Sequence, residues 1–221
     1  MNRVCLHILY LIIYICVLPL QVAAQQMEND TVFSHSAITA EVQARIEGKS
    51  WRNNPYVQIS ELSYLRLSYV DFNGISHVGE LICNRAIASD LVEIFRELYK
   101  ARYPIASLRL IDEYDADDER SMQANNTSSF CYRTIAGSRT LSKHARGLAI
   151  DINPLMNPCV FTNRKGRRVV QPSTAVPYVD RNRDFEGKIA EGDLCLRLFR
   201  EHGFKWGGDW QTKKDYQHFE K

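Results

Sequence analysis

Residues 63–83, SYLRLSYVDFNGISHVGELIC, limit the fold more than any other stretch. Apolar side chains alternate through Leu65, Leu67 and Tyr69, the chain turns at Asn73-Gly74, and the pattern resumes through Ile75 and Val78 toward Ile82. Asn-Gly between two period-two runs predicts a β-hairpin, because both residues accept the positive φ of a tight hairpin turn. A helix follows at once: Ile87, Leu91, Ile94 and Leu98 share one face, and Pro104 ends the run. A shorter helix precedes the hairpin, with Ile38, Val42 and Ile46 at four-residue steps and Gly48 as its stop. SLRLID and LAIDI read as short strands, GDLCLRLFREHG as a helix, and the last residues as a turn and a final strand. Between them, 112–129 is a polar, acidic loop without periodicity. Hairpins and helices come in blocks rather than in strict βαβ order. The expected class is α+β, with a largely antiparallel sheet and helices packed on one side.

The beginning of the chain is a separate matter. Arg3 precedes an apolar run from Val4 to Leu20 that holds Pro19 near its end, and the small residues Ala23 and Ala24 follow. That order predicts a secretory signal peptide over 1–24, a retained membrane anchor being the rival reading. Nothing later is long and apolar enough to span a bilayer. The protein is expected to be exported, to a periplasm or beyond the cell. Residues 25–61 read as an N-terminal extension with the short helix, polar and loosely attached over 25–36, and 62–221 as the main domain. Of six cysteines, Cys5 and Cys16 fall in the leader, leaving Cys83, Cys131, Cys159 and Cys195. An even number in an exported chain predicts one or two disulfides. The net charge of +2 gives no general argument for nucleic acid, and NRKGRR at 163–168 reads as a solvated hairpin tip.

SKHARGLAIDI at 142–152 carries a carboxylate in a half-apolar strand. If Leu148, Ile150 and Ile152 face the core, Asp151 projects from the opposite face beside the small Ala149. His144 lies just before the strand and can fold over that face. A histidine and an aspartate around a small space make two thirds of a zinc site. Of six histidines, His218 in DYQHFE is the best remaining donor, although an edge-strand histidine bonded to a carbonyl would look the same. His202, at a helix end, has a sufficient reason to be there. Two imidazoles and one carboxylate, with the fourth position left for water, form the pattern of catalytic zinc. Such a site needs a base, for which Asp215 is the candidate, on a turn entering the last strand. Beside Lys213 and Lys214, it could equally be a surface carboxylate. It also needs a cation for developing negative charge. Arg133, among aromatic residues, suits that better than Arg139 in a Gly-Ser turn.

The motif S-x-H-x-x-G-x-A-x-D at Ser142–Asp151, WGGDW at 206–210 and D-x-x-H-F-E at Asp215–Glu220 together resemble the zinc D-alanyl-D-alanine carboxypeptidase family. Within it, NNTSSFCYR and AGSRTLSKHARGLAIDINP are similar to the branch of L-alanyl-D-glutamate endopeptidases acting on bacterial walls. The resemblance runs from about Leu62 to the C-terminus. It implies one zinc ion held by His144, Asp151 and His218, on the open face of the sheet. Asp215 would be the general base and Arg133 the residue that steadies the substrate carbonyl. Ser142 would line the site, and Trp206 and Trp210 would wall the groove, with ordinary core packing an equal reading for Trp206. Glu220 would orient a ligand histidine. Aspartate rather than glutamate as the base departs from the related dipeptidase branch. The implied activity is hydrolysis of peptidoglycan stem peptides, of carboxypeptidase or endopeptidase type. The alternatives are a zinc-fold protein that binds wall peptides without cleaving them, and thiol catalysis by Cys131 or Cys159. Those two cysteines also suggest a disulfide near the site.

Overall fold

The structure, a computed structural model, describes residues 31–135 and 140–221. The leader over 1–24 lies outside the described residues, as does Arg139. Residues 33–221 form one compact unit.

The Asn73-Gly74 hairpin is its largest element. Strands β2 (Leu62–Val70) and β3 (Ser76–Asn84) pair antiparallel, with Val70 opposite Ser76 and Leu62 opposite Asn84. Asp71 ties the tip, its Oδ1 accepting from the backbone N–H groups of Asn73 and Ile75. A third strand comes from a stretch expected to be loosely attached: β1 (Phe33–Ala37) pairs antiparallel with β2. Its side chains are mostly exposed, so no apolar alternation marked it. Phe33 anchors it, meeting Tyr99 edge-on at 5.6 Å between ring centroids.

Helix α1 (Ala40–Ile46) starts at Thr39, whose side chain accepts from the N–H of Val42, and buries Val42 and Ile46. Helix α2 (Arg85–Lys100) starts at Asn84 and turns Ile87, Leu91, Ile94 and Leu98 inward. The same core holds Leu65, Leu67 and Leu81 of the hairpin, Ile150 and Ile152 of the motif strand, and Phe199 of helix α4 (Leu194–Glu201). This shared core fixes the motif strand to the rest of the domain.

The remaining strands are short. β4 (Ser107–Leu108) and β5 (Asn126–Thr127) pair in parallel. β6 (Ala149–Asp151), β11 (His218–Glu220) and β9 (Lys205–Trp206) form one small antiparallel sheet; β10 (Lys213–Asp215), β7 (Cys159–Thr162) and β8 (Arg168–Gln171) form another. The class is α+β and largely antiparallel, with the strands of the described residues in four small sheets. The acidic stretch 112–129 contains helix α3 (Asp118–Gln123), too short for a periodic signal. The end of the chain holds two strands, β10 and β11, separated by a turn at Tyr216–Gln217.

The expected disulfides are not formed: Cys83, Cys131, Cys159 and Cys195 are free and buried. Burial pushes each thiol up, Cys131 to about 12. A buried, protonated thiol is a poor nucleophile, which removes the basis for thiol catalysis.

Candidate metal centre

Two strands meet to build the centre. In the antiparallel pairing of β6 with β11, Asp151 sits directly opposite His218. Directly opposed side chains in such a pair share a face and lie close together. Alternation along β11 sends Phe219 into the core, stacked on Phe199 at 4.1 Å, and leaves His218 and Glu220 together on the other face.

His144 arrives from the 3-10 turn 144–146. The Ser142 hydroxyl accepts from the His144 N–H at 3.2 Å, and Gly147 ends the turn at φ +65°. A Cβ on Gly147 would stand 2.5 Å from the backbone nitrogen of Asn84, so this glycine lets the turn sit against the end of β3.

One donor atom from each of the three side chains converges. His144 Nε2 lies 3.1 Å from His218 Nδ1 and 3.3 Å from Asp151 Oδ1, and His218 Nδ1 lies 3.1 Å from the same oxygen. A tetrahedral zinc with bonds of about 2.0–2.1 Å places its donors about 3.3 Å apart. The triangle has that size.

The outward nitrogens fix the tautomers. His144 Nδ1 is 2.7 Å from the carbonyl oxygen of Ser129, which only accepts, so the proton sits on Nδ1. His218 Nε2 is 3.2 Å from Glu220 Oε2, and the hydrogen bond to His218 holds the Glu220 carboxyl below its usual range. With both imidazoles neutral, the inward nitrogens present lone pairs to each other and to a carboxylate. Three electron-rich atoms at this spacing repel one another unless a cation joins them. Without a metal ion, that cation is a second proton on His218. Burial alone would raise Asp151, yet the two histidines hold it far below the carboxylate range. Burial alone would lower His218, yet hydrogen bonds to Asp151 and Glu220 raise it to about 10. The donor set fits a divalent cation with nitrogen and oxygen preference.

The other expected residues are distributed around this triangle. Asp215 is buried at the end of β10, and its Oδ2 lies 2.9 Å from Lys213 Nζ. The turn at Tyr216–Gln217 brings it to the same side as His218. Gly207 makes room for this, since a Cβ there would meet the Asp215 carbonyl oxygen at 2.6 Å and the His218 Cβ at 3.2 Å. Trp210 is half-buried with its ring 5.2 Å from that of His218. Trp206 belongs to the core, 6% exposed, with its Nε1 donating to the Tyr216 carbonyl at 2.9 Å. Ser142 is buried beneath His144. Arg133 pairs through Nε with Asp118 of helix α3.

Two participants were not singled out from the sequence. The Ser129 carbonyl orients His144, and a backbone carbonyl leaves no mark in residue identity. Asp118, which burial raises above the usual carboxylate range against the pull of Arg133, was one acid in an acidic run.

Residues 136–221 match the model of the D-alanyl-D-alanine carboxypeptidase family. Over that stretch, less than half of the chain, the sequence is similar to that family. The matched stretch contains all three triangle residues together with Ser142, Trp206, Trp210, Asp215 and Glu220, while Arg133 and Asp118 precede it. The family is one of zinc-dependent metallopeptidases, and the donor set accords with that. No solved structure matches the chain. Among the described residues, no helix is long and apolar enough to cross a membrane.

Proposed function

We propose that the protein is an exported zinc metallopeptidase that hydrolyses peptide bonds in peptidoglycan stem peptides. The observation that carries this reading is the triangle of donor atoms from His144, Asp151 and His218, sized for one zinc ion, with the buried carboxylate of Asp215 beside it. In this reading residues 1–24 are removed on export to a periplasm or the medium. Residues 25–61 form an N-terminal extension, and 62–221 form the peptidase domain.

His144, Asp151 and His218 hold the ion. Zinc, when bound, polarises a scissile carbonyl and makes water acidic near neutral pH. Asp215 accepts the proton of the attacking water and returns it to the leaving amine. Arg133, steadied by Asp118, faces the negative charge that develops on the carbonyl oxygen. Glu220 and the Ser129 carbonyl keep the two imidazoles in the tautomers that ligation needs. Trp210 and Ser142 line the substrate side, and Trp206 supports the turn from beneath.

Metal analysis of the purified protein and cleavage of muropeptides with and without chelator test this reading. Zinc co-purifies, chelation abolishes cleavage, and His218→Ala loses both metal and activity. Full activity in His218→Ala removes the proposal. A zinc-loaded protein that retains wall fragments but never cleaves them replaces it with a binding role.

A further inference from the structure

Lys213 is a cation beside Asp215 that the peptidase reading leaves unused. It shares a face of β10 with Asp215, two residues on, and its Nζ lies 2.9 Å from Asp215 Oδ2. Its side chain is 41% exposed, so a bound molecule can reach it. The Trp210 ring lies 5.5 Å from the same Nζ and 5.2 Å from the His218 ring, forming an apolar wall from the triangle to the ammonium. The raised pKa of Lys213, where burial pulls down and Asp215 outweighs it, keeps the group charged.

A group that protonates the leaving amine must come within about 2.6–3.2 Å of that nitrogen. In an α-amino acid the carboxyl carbon is one atom further on, about 2.5 Å from the nitrogen by standard bond lengths. With Lys213 Nζ only 2.9 Å from Asp215 Oδ2, a free carboxylate on the leaving residue can therefore meet Lys213 while Asp215 reaches the scissile nitrogen. Both candidate bonds meet this requirement. A C-terminal D-alanine carries its free carboxylate there, and so does a D-glutamate that continues the chain through its γ-carboxyl.

We propose that Lys213 is a specificity residue that anchors a free α-carboxylate on the residue contributing the scissile nitrogen, with Trp210 covering that residue's carbon chain. The substrate class is thus a peptide whose leaving residue is an unblocked α-carboxylate. This rests on the peptidase reading, with Asp215 serving the leaving amine.

Matched peptides test it, one with a free α-carboxylate on the leaving residue and one with an α-carboxamide. The zinc enzyme prefers the acid by at least tenfold in kcat/KM, mainly through KM. Lys213→Met brings the acid-to-amide ratio to about one, and Lys213→Arg keeps it. Direct titration of the leaving-side products, which do not turn over, gives the same order: D-alanine binds at least tenfold tighter than D-alaninamide, and Lys213→Met removes the difference. A loss of the Lys213–Asp215 contact alone would slow both peptides together and leave the ratio in place. Equal cleavage of acid and amide by the native enzyme, or a ratio that survives Lys213→Met, overturns the assignment while the peptidase reading stands. Cleavage of neither peptide by zinc-loaded protein overturns both.

Discussion

Glu220 is the most informative single residue, because it acts only through the proton it holds on His218. Glu220→Gln keeps the size and a hydrogen-bond acceptor but loses the charge that fixes the tautomer. Second-shell changes of this kind cost about 10–100-fold in metal affinity. We expect a fall of that size in zinc affinity, read by competition with a chromogenic chelator, in a protein of unchanged melting temperature. The three donors were legible in the sequence because few residue types ligate zinc and each sat in a short motif with a strand or turn around it. Their supports were less so. Trp206 and Trp210 look alike in sequence, yet one anchors its indole to the Tyr216 carbonyl in the core and the other stands beside His218. Asp118 could not be distinguished from its acidic neighbours until the fold set it against Arg133.

At the scale of elements, WGGDW is a spacing device. The 3-10 turn 207–209 lies against the end of β10 and the start of β11, and Gly207 is where the backbones touch. Gly207→Ala puts a carbon 2.6 Å from a carbonyl oxygen, which the turn must move to relieve. Overpacking of this kind costs about 1–3 kcal/mol. Denaturant melts should show that loss, together with a fall in kcat from displacement of Asp215. The β2–β3 hairpin offers a pH test. The His77 side chain and then the Ile75 N–H hydrogen-bond Asp71 and lower its pKa to about 2. A value below that of the unfolded chain means this contact favours the folded state above the usual carboxylate range and is lost as pH falls through about 2. Carboxyl NMR titration should place the Asp71 midpoint near 2, and His77→Gln should move it upward. The hairpin and helices α1, α2 and α4 were legible from periodicity. SLRLID was read as a strand and its first two residues form β4, but the two-residue strands β5 and β9 were not legible, because a period needs more residues than they contain.

At the scale of the molecule, the described residues are held by two packed apolar clusters and not by crosslinks. Cysteine parity in an exported chain argued for disulfides, but the four thiols are used as small apolar side chains. A reductant should leave the melting temperature unchanged, and a thiol reagent should label these four only after denaturation. A shift of several degrees on reduction would restore the crosslinked reading. Distance in sequence also hid the strand β1, which completes the sheet from a polar segment that shows no pattern of its own. The two small sheets at the centre carry a last implication. Asp215 ends a strand of one and His218 opens a strand of the other, with two turn residues between them. In the proposed reading, the group that moves protons and a group that grips the ion thus ride on separate rafts joined by a short tether. Changes in the 159–171 hairpin, whose Cys159 lies opposite Asp215, should then shift that raft and retune the rate without altering how tightly the ion is held.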